Sequence, residues 1–318
     1  MVTLVVTDGT GSMDLYGQKL CQHMKNTEVV HLSFPEPFGT PLFSPHAVKF
    51  LIHSGGILKT LRRYQAVHLT NHHLARFAFL LKNTACILTV HDLIRHFDRQ
   101  GAATYIRQPT FRDKIDLWLD WQGIKSARHI IAISNHTRND LINYGGIPEE
   151  KITVVYHGIN HDVFYPRSWP GPVDCPYILF VGSEHPRKNL ATLLRAFHKL
   201  KQGRRFRDLK LVKVGKAGGM EYDFRAETLK LVQSLGLDGE VVFTDYVSED
   251  MLANYYSHAE CFILPSLYEG FGWPPVEAMA CGCPVVVSNV TSLPEITGDA
   301  ALKVEPYDDS SLASAIDM

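Results

Sequence analysis

Short apolar runs that alternate with helix-like stretches, in two successive series along the chain, leave few folds open. The runs are apolar at consecutive positions and rich in β-branched residues, as strands buried on both faces must be. Alternation with helical patterns points to parallel sheets covered by helices, an α/β architecture. In the first half, strands are expected near residues 2–6, 29–33, 66–69, 86–90, 130–133 and 151–155. A proline-dense stretch at 164–172 interrupts the alternation and reads as a linker. The second half restarts at 177–182 and continues with strands near 209–214, 241–244, 261–264 and 284–288. The expected organisation is an N-terminal Rossmann-like domain over 1–165, a linker over 166–176 and a C-terminal domain over 177–318. Two such doubly wound domains facing a cleft bind ligands at the carboxyl ends of their strands.

The stretch PSLYEGFGWPPVE at 265–277 carries the most chemistry. An apolar run leads into it and ends at Pro265, and a helix is expected over 276–280, closed by a left-handed Gly282. Glu269 then lies on a strand-to-helix loop and Glu277 in the first helical turn. Loop amides of Gly270, Phe271 and Gly272, with the positive helix end, favour an anion such as a phosphate. Two carboxylates there repel phosphate and serve better as acceptors for hydroxyls, as on a sugar or a ribose. The pattern suits a nucleotide that carries a sugar.

Other motifs fall at strand ends. Gly182 closes a strand, and Arg187 and Lys188 follow at a helix start, where paired cations can clamp a diphosphate. Cations at a helix N-terminus are electrostatically unfavourable alone, so a bound anion explains them better. His91, in the run TVHDL, ends a strand and points toward the presumed cleft, with Asp92 placed to cap the next helix. Gly9 and Gly11 follow the first strand and let backbone approach a ligand. Asp14 stands where a dinucleotide fingerprint needs its third glycine, so the loop reads as acceptor-side. Ser134 and Thr137 read as helix-capping residues.

The run from Pro265 to Ala301, with Glu269 and Glu277 separated by seven residues, resembles the signature of the retaining GT-B glycosyltransferases of family 4, the group 1 transferases. The runs PRKNL and SLPEITGDAAL resemble the mannosyltransferase-like branch. The resemblance implies a hexosyltransferase of polysaccharide biosynthesis, independent of metal, with a nucleoside diphosphate sugar, GDP-mannose first, as donor and no cofactor. It places Lys188 and Arg187 on the donor diphosphate, His91 near the reacting carbon, and Val247 in the turn beside the nucleotide base. Glu277 would take ribose hydroxyls and Glu269 the donor sugar. The acceptor implied is a glycan or a lipid-linked glycan, the latter with peripheral contact at the inner face of a membrane. The family's closing helices, the last crossing back to the first domain, are missing after 318, which bears on full activity more than on fold. A non-catalytic sugar-nucleotide binder and a sugar-nucleotide epimerase of GT-B architecture remain as alternative readings.

Composition narrows the rest. A net charge of −1 argues against nucleic acid as a partner. No apolar run approaches the ~18–20 residues that span a bilayer. Six cysteines in mostly apolar surroundings fit a reduced, cytoplasmic protein. Adjacent histidines such as His72 and His73 point to different faces, so no metal site is expected.

Overall fold

The structure, a computed structural model, describes residues 2–9, 11–25, 27–32, 55–81, 83–100, 109–218 and 224–318. The chain divides into two compact units, one running to Tyr156 and the other from His157 to Met318.

The first unit carries a parallel sheet of β1 (Thr3–Thr7), β2 (Val29–Leu32), β3 (Ala66–Leu69), β4 (Ala85–Val90), β5 (His129–Ala132) and β6 (Ile152–Val154). The order is β2-β1-β3-β4-β5-β6, so connections diverge between β1 and β3. Leu4, Val5, Leu69, Leu88, Val90 and Ile130 are fully buried, which is why these strands read as mainly apolar runs. The expected strand position Ser33 lies outside the described residues. Helix Ala75–Leu80 packs on helix Phe111–Ser126 so closely that a Cβ at Gly123 would lie 1.8 Å from the Ala75 carbonyl oxygen. Arg76 bridges Asp116 and Asp120 across this pair at 2.9 and 2.8 Å.

The second unit carries β7 (Tyr177–Val181), β8 (Lys210–Val214), β9 (Val241–Thr244), β10 (Cys261–Leu264), β11 (Val285–Ser288) and β12 (Leu302–Val304). All pair in parallel, in the order β12-β11-β10-β7-β8-β9. Counted within the unit this is the Rossmann order, with its switch point between the first strand, β7, and the fourth, β10. β12 escaped the sequence reading: it is a three-residue edge strand with Leu302 and Lys303 exposed, so no apolar run marks it. Segment 157–176, which includes the stretch read as a linker, belongs to this unit. Phe164 is buried in its core, 6.4 Å from the Tyr256 ring, and Arg167 reaches Asp250 at 2.7 Å.

Gly215, just after β8, has φ +114°, and a Cβ there would meet the Gly182 carbonyl oxygen at 2.9 Å. Two strand ends thus approach as only glycine permits. Gly215→Ala is expected to cost about 2 kcal/mol from backbone strain and contact. Thermal unfolding reads this directly, and an unchanged melting temperature contradicts it.

Candidate functional site

The switch point of the second sheet places the loops after β7 and β10 side by side. After β7, a single turn, Pro186–Lys188, precedes helix Leu190–Lys201. Asn189 joins them with φ 54°, and its side chain donates to the Pro265 carbonyl at 2.9 Å. After β10, the loop runs to Gly272 and then into helix Trp273–Ala280. The Leu267 amide donates to the Arg187 carbonyl at 2.7 Å, tying the two loops together.

This tie brings Arg187, Lys188 and Glu269 into one buried cluster. Lys188 Nζ donates to Glu269 Oε1 at 2.6 Å, and Arg187 Nη1 donates to Oε2 at 3.1 Å. Ser266 Oγ adds a bond to Oε1 at 2.7 Å. Burial alone would raise the Glu269 pKa. The Lys188 and Arg187 charges and the hydrogen bonds outweigh it and hold the carboxyl at about 2. Burial pushes the Lys188 ammonium below its usual value, against the pull of Glu269. Two cations against one carboxylate leave a net charge of +1 in a poorly hydrated place. Arg187 Nε is buried with no hydrogen-bond partner among the described residues. An orphan cationic donor beside excess positive charge suits an anion chemically. Oε1 of Glu269 already accepts two bonds, while Oε2 accepts one and has capacity for another donor such as a hydroxyl.

The β10 loop is held by hydroxyls. Ser292 Oγ lies 2.9 Å from the Glu269 carbonyl and 2.8 Å from that of Phe271. The Glu269 amide donates to Thr291 Oγ1 at 3.2 Å, and Ser288 donates to the Ser266 carbonyl. Gly272 takes φ +103° to start the helix, and a Cβ there would meet Leu293 at 2.8 Å. The helix begins at Trp273 rather than 276, so Glu277 sits in its second turn. Pro274 and Pro275 occupy N2 and N3, which removes two of the amides a helix end offers an anion. The helix end is therefore a weaker anion-binding element than the sequence pattern indicated. Gly282, with φ +76°, closes the helix as expected.

Glu277 is half-buried and accepts from the Tyr256 hydroxyl at 2.9 Å. Gly182 lies against the Lys188 stem, where a Cβ would sit 3.6 Å from two of its carbons. Val247 packs partly buried after β9. Beneath these strand ends an ion-pair cluster with a buried Lys213–Glu184 pair at its centre escaped the sequence reading. Lys213 meets Glu184 at 3.0 Å, and Arg225 joins Glu184 at 2.7 Å and Asp245 at 3.2 Å. A lysine inside the apolar strand β8 was the signal, since a buried ammonium needs a partner. Ser183 Oγ lies 2.9 Å from His185 Nδ1.

The first unit holds the other predicted residues. His91 is buried, and its Nε2 lies 2.9 Å from the Thr70 carbonyl oxygen. Burial lowers its pKa to about 4, against the pull of that bond, so the ring is neutral with its proton on Nε2. The His91 carbonyl accepts from Thr137 Oγ1 at 3.3 Å, and Asp92 caps the next helix through the Ile94 amide at 3.1 Å. Ser134 caps its helix through the Thr137 amide at 3.0 Å. In the loop after β1, the Gly11 amide donates to Asp14 Oδ2 at 3.1 Å. A Cβ at Gly9 would lie 2.1 Å from that same oxygen. A carboxylate filling the loop suits a hydroxyl-bearing ligand and repels a phosphate.

Two family matches divide the chain much as the sheets do. Residues 2–163 match the family described as Glycosyltransferase Family 4, and residues 164–318 match Glycosyl transferases group 1. The chain belongs to glycosyltransferase family 4. Relatives of this family 4 chain include the O-antigen chain mannosyltransferase B of Escherichia coli, 34% identical over 61% of this chain and 52% of that protein. The MMP alpha-(1->4)-mannosyltransferase of Mycolicibacterium hassiacum is 30% identical over 89% of this chain and 66% of its own length. The chain thus spans about half to two thirds of these relatives. Among solved structures it is similar to sucrose-phosphate synthase from Thermosynechococcus elongatus, with TM-score 0.76, 23% identity, and 99% and 88% of the two chains covered. Anabaena HepE in complex with UDP and glucose matches with TM-score 0.76 at 16% identity, over 99% of this chain and 88% of that one. The fold is the two-domain GT-B fold.

Proposed function

We propose that this chain transfers a hexose, mannose, from a nucleoside diphosphate sugar, GDP-mannose, to a hydroxyl of a glycan or lipid-linked acceptor. The observation that carries the reading is the net-cationic cluster of Arg187, Lys188 and Glu269 at the switch point of the second sheet. Mannose has the support of relatives named as mannosyltransferases, and a nucleoside diphosphate that of a fold relative described with UDP and glucose.

Arg187 and Lys188 hold the diphosphate and stabilise its charge as it leaves, the kind of preset electrostatics that lowers barriers most. Glu269 offers its remaining acceptor position on Oε2 to a sugar hydroxyl, and Glu277 accepts ribose hydroxyls. Gly270, Phe271 and Gly272 line the sugar, and Gly182 and Val247 the nucleotide. The acceptor is assigned to the first domain, with His91 and the Gly9 and Gly11 loop. The bond from the anomeric carbon to the diphosphate breaks. The acceptor oxygen forms the new bond with retained configuration, and its proton leaves with the diphosphate. With two side-chain cations serving the phosphates, no metal is assigned. No described helix is long and apolar enough to cross a membrane. We assign the chain to the cytoplasm, at the inner face of a membrane where the acceptor is lipid-linked.

A panel of nucleoside diphosphate sugars tests this. At a hundredfold excess over Kd, a ligand that binds the folded state alone adds ~2.7 kcal/mol, which raises the melting temperature by several degrees. GDP-mannose is expected to give the largest rise and to be consumed when acceptor is added. No shift with any member of the panel contradicts the reading.

A further inference from the structure

Tyr256 lies in the core of the second unit, on helix Glu249–His258. Its ring is fully buried, with edge contacts to Phe262 at 5.5 Å and Phe164 at 6.4 Å. A leucine or phenylalanine would satisfy such a site by packing alone. The hydroxyl instead crosses to the neighbouring helix and donates to Glu277 Oε2 at 2.9 Å. Burial, with the Glu277 charge, raises the phenol pKa well above 10, so the hydroxyl keeps its proton and acts as a donor. A hydroxyl bonded to a carboxylate is a charge-assisted bond with a fixed direction.

We propose that Tyr256 is a positioning residue that holds the Glu277 carboxylate in the orientation in which it receives the ribose of the bound nucleotide. The proposal rests on the reading of Glu277 as the ribose acceptor and adds what orients it. Helix Trp273–Ala280 sets the Glu277 backbone, but its side chain has three rotatable bonds. Tying one oxygen to a rigid core ring removes that freedom before the nucleotide arrives, which lowers the ordering cost of binding.

The test is Tyr256→Phe, which keeps the ring packing and removes one oxygen. GDP and UDP, each with its 2′-deoxy counterpart, are titrated against the wild type, Tyr256→Phe and Glu277→Gln. The wild type is expected to prefer the ribose form, and Glu277→Gln to lose most of that preference. Tyr256→Phe is expected to bind the ribose form about tenfold more weakly, equivalent to ~1.4 kcal/mol, with the deoxy form nearly unchanged. In turnover the change falls on the donor KM, with kcat within about twofold. A structural role alone would lower both affinities equally or lower only the melting temperature, and either result overturns the proposal. If Glu277→Gln loses the preference while Tyr256→Phe keeps it in full, the positioning role fails and the ribose reading stands. If the wild type shows no preference, the ribose reading itself fails, and the proposal with it.

Discussion

Glu269→Ala is expected to abolish measurable glycosyl transfer and to destabilise the second domain by ~3 kcal/mol, since it leaves buried Lys188 and Arg187 without their counter-charge. Glu269→Gln separates the two effects. It keeps the volume and the acceptor oxygen, so the fold suffers less, while transfer still falls by about a hundredfold through loss of the charge that balances the cations. The same cluster sets an acid limit on stability. Glu269 titrates at about 2, below its ordinary value of 4.5, so its contribution is complete above that ordinary value and fades as pH falls toward 2. Lys188 works in the opposite sense, since its ammonium is pushed down by burial, and the stabilising half of the pair is the carboxylate. Unfolding curves between pH 5 and pH 2 for the wild type and Glu269→Gln read this. The wild type is expected to lose stability more steeply. Parallel curves, or wild-type turnover in Glu269→Ala, contradict the assignment.

Lys188→Gln is expected to lower kcat/KM by about a thousandfold, because the ammonium is the buried charge closest to Glu269 and no other described lysine joins the cluster. Both the affinity for a nucleoside diphosphate and the chemical step depend on it, so KM and kcat change together. Fold stability changes less than in Glu269→Ala, because Glu269 keeps Arg187 and Ser266. Arg187→Gln is expected to cost less activity than Lys188→Gln, since Arg187 also spends a donor on the Tyr268 carbonyl at 3.2 Å. Steady-state kinetics over a range of donor concentrations checks both. A Lys188→Gln enzyme within a factor of about three of wild type contradicts the diphosphate role.

Much of this was legible in the chain. Parallel strands buried on both faces are apolar at nearly every position, so β7, β10 and β11 stood out within a residue of their ends. β12 did not, because its exposed edge residues carry no such demand. Glu269, Arg187 and Lys188 were each legible as chemistry at a strand end. Their meeting was not, because residues about eighty positions apart touch only through the strand order β10-β7. Ser266, Ser292 and Tyr256 escaped for a related reason. Their hydroxyls serve the site through backbone carbonyls and carboxylates that only the folded loops bring near. The helix after Gly272 starts earlier than its apolar pattern indicated, since Trp273 and two prolines form its first turn. Lys213 was readable as a charge in an apolar strand, yet its partners Glu184 and Arg225 follow only from the fold.

The most direct test is a crystal structure of the protein with a nucleoside diphosphate sugar bound. The account predicts the diphosphate within hydrogen-bonding distance of Lys188 and Arg187, a sugar hydroxyl on Glu269 Oε2, and the ribose on Glu277. Ligand density away from the strand ends of β7 and β10, with Lys188 and Arg187 still paired to Glu269 alone, would contradict it.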